Sequence, residues 1–276
     1  MPHAEPSAAR ETLAAGAVEI LTTADPAAKA RRAHALAEAW RGGWIEPGTA
    51  EPPDRPARPA RPLLLAPREM PKRKAGPSLA GRIALLHALA HIELNAIDLA
   101  WDLVARFCGE PLPRDFFDDW VGVASDEAVH FELLTERLAD FGARYGDLPA
   151  HDGLWEAAEA TANDLLARLA VVPLVLEARG LDVTPEMAAQ LARLGDLQSA
   201  DGLRRIYCDE IGHVAAGVRW FDELCGARGL IAADVFRERI GHYFKGELKP
   251  PFNHEARAAA GFPKHYYDLP TVRAAL

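Results

Sequence analysis

Asp126-Glu127-Ala128-Val129-His130 and Asp209-Glu210-Ile211-Gly212-His213 are two copies of one pattern, Asp-Glu-x-x-His. On a helix, positions i and i+3 share a face, so the Glu and His of each copy reach toward one point. A carboxylate and an imidazole converging there make half a site for iron, manganese or zinc. One Glu-x-x-His says little, since both residue types are common on helices. Two copies, each preceded by Asp, say much more.

A centre built from two such pairs needs one further Glu on each of two other helices. Glu93 lies mid-way along an apolar or small stretch, with Leu86, Leu89, Ala90, Ala96, Ile97 and Ala100 around it. Glu177 has Leu169, Ala170, Pro173 and Leu174 on its expected face. A carboxylate on a core face is costly unless it is compensated. The expected ligand set is therefore Glu93, Glu127, His130, Glu177, Glu210 and His213. Glu93 with His130 would serve one metal and Glu177 with His213 the other, with Glu127 and Glu210 bridging. Four carboxylates balance two divalent ions. Asp126 and Asp209 are expected to accept hydrogen bonds from the ligand imidazoles and fix their tautomers. Tyr207, one turn before Glu210, is a candidate for a redox or hydrogen-bonding role, against ordinary core packing. His87 and His91 lie off the Glu93 face and are left out of the ligand set. Glu186 is the fallback should Glu177 point away, and Cys208 is expected to be a small buried hydrophobe.

Spacing agrees with two helical hairpins. Glu93 and Glu127 are separated by 34 positions, and Glu177 and Glu210 by 33. Ser78 is a fitting N-cap for a helix to about Cys108, and Pro113 opens a second helix to about Phe141. Thr161 and Asp164 resemble a capping box that starts a third helix, ending near Arg179 and Gly180. A break over Gly180 to Thr184 is expected before a short helix from Pro185 to about Leu194. A fourth long helix spans Leu197 to Ala227, with Gly229 after it. The link from Ala143 to Thr161 could span well over 40 Å at roughly 3.3 Å per residue, enough to run the length of a bundle.

The rest of the chain is read around this core. Residues 1–46 are expected to form a helical hairpin broken near Thr23 to Pro26. Residues 47–77 are Pro-rich and read as an extended connector. The metal-binding bundle takes residues 78–230. A further helix and a tail, residues 231–276, are expected to pack on it. Ala, Leu, Arg and Glu dominate, and no long stretch alternates apolar with polar residues, so the chain reads as all-α. A net charge of −9 argues against a general nucleic-acid surface. Three cysteines without a Cys-x-x-Cys pair, and no basic-then-apolar leader, fit a reduced cytoplasmic chain. No run approaches 18 apolar residues, so no membrane span is expected.

The paired motifs and the two lone Glu residues resemble the ferritin-like di-iron carboxylate superfamily. More closely, His91-Ile92-Glu93-Leu94, Ala96-Ile97-Asp98-Leu99, Tyr145-Gly146-Asp147-Leu148-Pro149-Ala150-His151, Glu177-Ala178-Arg179-Gly180-Leu181-Asp182 and Pro250-Pro251-Phe252-Asn253 are similar to the bacterial domain-of-unknown-function family 455. The resemblance covers about residues 78 to 270. It implies a ferritin-like four-helix bundle holding two iron ions, or an iron–manganese pair, and it names no substrate. Two function classes follow. One is an O2-activating oxidoreductase acting on an unknown small organic molecule with an unknown electron donor. The other is an iron-handling or peroxide-detoxifying ferroxidase-like protein. The sequence outside the bundle suits covering an active site better than building a storage cage, so the enzyme is preferred, as a monomer or small homo-oligomer.

Overall fold

The computed structural model describes residues 11–66, 69–70 and 78–268, and among them every regular element is helical. Two isolated bridges, Thr12 with Glu46 and Leu64 with Ala150, are the extended pairings seen there. By its contacts the chain divides into two compact units, residues 1–59 with 96–128, and residues 60–95 with 129–276. Of the three dividing lines, 95/96 and 128/129 fall inside long helices and 59/60 falls in the Pro-rich stretch.

In the first unit, α1 (Leu13–Thr22) and α2 (Pro26–Arg41) form a hairpin. Each starts on a side-chain cap. Thr12 accepts the Ala15 amide, and Asp25 accepts the Ala28 amide with Pro26 following at the first helical position. The turn at Thr23 to Asp25 is the break expected near Thr23 to Pro26, and residues 1–10 of the expected hairpin lie outside the described residues. The unit also holds the C-terminal part of α3 (Leu79–Phe107) and the N-terminal part of α4 (Arg114–Asp140). Leu13, Ile20, Trp40, Trp101, Phe116 and Trp120 are buried to 1% exposure or less. The Trp40 indole donates to Asp118 at 2.7 Å, and the Arg114 guanidinium lies 4.1 Å over its ring.

The Pro-rich stretch has no helix over residues 47–66 and is fastened along its length. The Ala57 amide donates to the Leu21 carbonyl at 2.8 Å, and Arg106 donates to the Pro53 carbonyl at 3.3 Å. Arg58 and the buried Lys29 both bind the Asp98 carboxylate, which is wholly inside the protein. In the second unit, the Leu65 amide donates to the Ala150 carbonyl and the Ala150 amide donates to the Leu63 carbonyl. Residues 67–68 and 71–77 of the connector lie outside the described residues.

The second unit contains the remaining parts of α3 and α4. It adds α5 (Gly153–Ala160), α6 (Leu165–Val171), a π-helical stretch Val172–Glu177, α7 (Ala178–Arg193) and α8 (Leu197–Ala227). After these come α9 (Ala232–Tyr243), α10 (His254–Ala259) and α11 (Lys264–Tyr267). Ser78 caps α3, its hydroxyl accepting the Gly81 amide at 3.1 Å. α7 lies along α8, α6 packs against α8 and α9, and the π stretch packs against α8. Gly217 makes that last approach work: a Cβ there would come within 2.5 Å of Pro173. Space at Gly217 is thus taken by helix packing.

Two expectations for this region are corrected. Asp164 is itself the cap of α6, accepting the Ala167 amide at 3.0 Å, while the Thr161 hydroxyl accepts from Arg168 at 2.9 Å. The break expected over Gly180 to Thr184 is absent, and Pro185 lies inside a continuous α7. Asn253, far along the chain, donates to the Leu181 carbonyl that Pro185 would otherwise leave without a donor. The irregularity falls earlier, in the π stretch. The C-terminal region also carries two short helices beyond the one expected.

α3 is long and apolar enough to cross a membrane by length and composition, and 67% of its most apolar window is buried inside the protein. Glu93, Asn95, Asp98 and Asp102 on the same helix are all buried, as suits a core helix with polar partners.

Candidate metal centre

Four of the expected ligands converge. Glu93 on α3, Glu127 and His130 on α4 and Glu210 on α8 each offer one ligand atom, and these atoms lie within 4.8 Å of one another. Donors on opposite sides of an ion bound at about 2.1 Å stand about 4.2 Å apart, so the group needs only small adjustments to hold one. All four side chains are buried: Glu93 is 4% exposed, Glu127 and His130 0%, and Glu210 7%. Three carboxylates so close in a dry interior call for compensating positive charge.

His130 is oriented by both ring nitrogens. Nε2 is 3.0 Å from Asp209 Oδ2, and Nδ1 is 3.5 Å from Glu93 Oε2. A carboxylate accepts only, so the bond to Asp209 puts a proton on Nε2, and Nδ1 is the nitrogen turned to the carboxylate group. Asp209 is on α8, so the imidazole of one motif is held by the aspartate of the other. The side chain of Asp209 is 35% exposed, at the edge of the buried group.

His213 is buried, with Nδ1 3.7 Å from Glu210 Oε2 and its ring 5.7 Å from that of His130, centre to centre. It adjoins the group of four without belonging to it. Glu177 is half-buried at the end of the π stretch and is likewise outside the group. Asp126 is exposed on α4. The Tyr207 hydroxyl accepts from Asn253 at 3.2 Å. Glu186 is exposed and paired with Arg193, far from the fallback role considered for it. Cys208 is exposed rather than buried, while Cys108 and Cys225 are buried, all three as free thiols.

The histidines excluded from the ligand set have structural work. His91 Nδ1 is 2.9 Å from the Tyr145 hydroxyl, and its Nε2 is 3.0 Å from the His151 carbonyl. His87 Nε2 accepts the Gly146 amide at 2.9 Å, and the Tyr145 ring stacks on His87. Together they anchor the loop that leaves α4. Sequence reasoning missed Asp182, Asn253 and Arg257, which knit the C-terminal segment onto α7. Pro185 inside a helical pattern was the available signal, because its missing amide requires a donor from elsewhere.

A family model described as Protein of unknown function (DUF455) matches residues 22–268. An uncharacterized protein of Haemophilus influenzae (strain ATCC 51907 / DSM 11121 / KW20 / Rd) is 45% identical over 219 residues, covering 77% of this chain and 75% of that one. No solved structure matches the chain.

Proposed function

This chain belongs to the DUF455 family, and we propose that it is a ferritin-like four-helix protein with a two-metal carboxylate centre, acting as an O2-activating oxidoreductase on a small organic substrate. The observation that carries the reading is the buried convergence of Glu93, Glu127, His130 and Glu210. The donor set fits: carboxylate and imidazole together suit iron and manganese, and the interior charge of three or four carboxylates is offset by divalent ions.

In this reading Glu93 and His130 would hold one ion and Glu177 and His213 the second, with Glu127 and Glu210 as ligands that both ions would share. A reduced iron pair, or iron with manganese, supplies electrons for dioxygen chemistry when bound. The chain's own part is to orient and to exclude water. Asp209 holds His130 in the tautomer that presents Nδ1, and Asp126 is assigned the matching task for His213. Ala90, Leu94, Ala128, Leu174 and Val214, all buried, line the same helices and keep the carboxylates out of bulk solvent. The π stretch ending at Glu177 supports the reading as well, since such stretches recur at functional sites. Tyr207 is assigned a hydrogen-bonding role, one turn from Glu210. A small molecule, dioxygen and a separate electron donor are the partners this requires, and the free thiols suit a cytoplasmic setting.

The test is elemental analysis of anaerobically purified protein beside Glu127→Ala and Glu210→Ala, then exposure to O2. About two irons per chain, lost in both variants and giving an absorbing oxidised species, is the result expected for a two-metal carboxylate site. A wild-type chain that takes up no transition metal on reconstitution sinks the proposal.

A further inference from the structure

In an α-helix the carbonyl of residue i accepts the amide hydrogen of residue i+4. Pro185 has no such hydrogen, so the Leu181 carbonyl inside α7 lacks its regular i+4 donor. The Asn253 side-chain amide takes that place at 3.1 Å. The same nitrogen donates to the Tyr207 hydroxyl on α8 at 3.2 Å. Asn253 is itself well held. Its backbone amide donates to Asp182 at 2.9 Å, and its side-chain oxygen caps α10 by accepting the Ala256 amide at 3.1 Å.

Arg257 reinforces the join. It is 2% exposed, donates to both oxygens of the Asp182 carboxylate at 2.9 and 2.7 Å, and reaches the Ala178 carbonyl at 3.2 Å. Arg179 donates in the other direction, to the Lys249 and Pro251 carbonyls. The Arg257 and Arg179 bonds, and the Asn253 bonds to Leu181 and Asp182, all involve the turn 178–182, which follows Glu177 directly.

We propose that Asn253 is a positioning residue for the Glu177 side of the metal centre. It supplies the donor that Pro185 removes, keeps α7 helical from its first turn, and ties that turn to α8 three residues before Glu210. The ligand-positioning part rests on the metal reading above, while the helix-repair part stands on backbone hydrogen bonding alone.

Three chains test it: Asn253→Asp, which keeps an oxygen to cap α10 but cannot donate; Asn253→Ala; and Asn253→Ala with Pro185→Ala, which returns an amide hydrogen to α7. In hydrogen exchange, both single variants are expected to speed the Asp182 to Thr184 amides by about tenfold. In reconstituted protein they are expected to lower bound metal from about two to about one per chain. The double variant is expected to bring exchange and metal content back to within about twofold of wild type. Wild-type exchange in Asn253→Asp, or no recovery in the double variant, overturns the proposal. A wild-type chain that binds no metal overturns the ligand-positioning part with the metal reading, and the exchange comparison still decides the helix repair.

Discussion

Asp209→Asn and Asp209→Ala probe what holds His130. The carboxylate accepts Nε2–H at 3.0 Å, and this bond leaves Nδ1 turned to Glu93 at 3.5 Å. Removing a partner that orients a ligand imidazole costs about 10- to 100-fold in metal affinity. Asp209 is 35% exposed, so water replaces part of the lost bond and the charge is partly screened. Asn keeps an acceptor without the charge, and a charge-assisted bond is about twice as strong as a neutral one. The expected losses are therefore about tenfold for Asn, or about 1.4 kcal/mol, and nearer 100-fold for Ala. Chelator competition with Mn(II), which avoids oxidation during the titration, measures both. An Asp209→Ala chain within about twofold of wild type, beside a His130→Ala chain that has lost binding, would refute the argument.

Asp98→Ala strands Lys29, which is 1% exposed, beside Arg58 with no shared carboxylate. A loss of about 3–5 kcal/mol is expected, seen as a large fall in thermal midpoint, and Asp98→Leu with Lys29→Met should recover most of it. At pH 8 a thiol reagent should label one cysteine per folded chain, and Cys208→Ala should abolish that reaction, since Cys108 and Cys225 are buried. Burial pushes both of those thiols up to about 11, with Asp222 adding to the effect at Cys225. The folded chain thus holds protons that the unfolded chain releases, and stability falls as pH rises from about 9 to about 11, by up to about 2–3 kcal/mol for each thiol. Denaturant melts of Cys225→Ala across that window should show a shallower decline.

Helix ends were legible where the chemistry is local. Ser78 caps its own helix, and Gly142 and Gly229 adopt φ of +72° and +66° just past α4 and α8, where a side chain would be strained. Glu127 with His130, and Glu210 with His213, were legible because three-residue spacing is a property of any helix. What resisted reading depends on distant or non-standard backbone. The sequence suggests a break just before Pro185 because the donor that replaces its amide is on Asn253, 72 positions from the Leu181 carbonyl it serves. α-Helical spacing places Glu177 on one face with Leu169, Ala170, Pro173 and Leu174, but the backbone from Val172 to Glu177 is π-helical. The apolar character of a thiol suggests burial for Cys208, but its place on α8 is opposite to the buried face marked by Ile206, Glu210 and His213.

The π stretch is, in arithmetic, a single extra residue threaded into one helix. A regular helix advances about 100° per residue, so one inserted position turns everything beyond it by about that angle. α6 and α7 therefore form one rod with two phases: α6 is buried on every side, and the stripe that α7 buries, with Ala178, Leu181, Ala188 and Leu191, takes its direction from the phase after the insertion. Deleting one residue between Val172 and Leu176 would restore a uniform rod at the cost of swinging Glu177 about a quarter-turn around its axis. Length changes here act as rotations, and a chain one residue shorter could keep its helix content while losing the direction in which that carboxylate points.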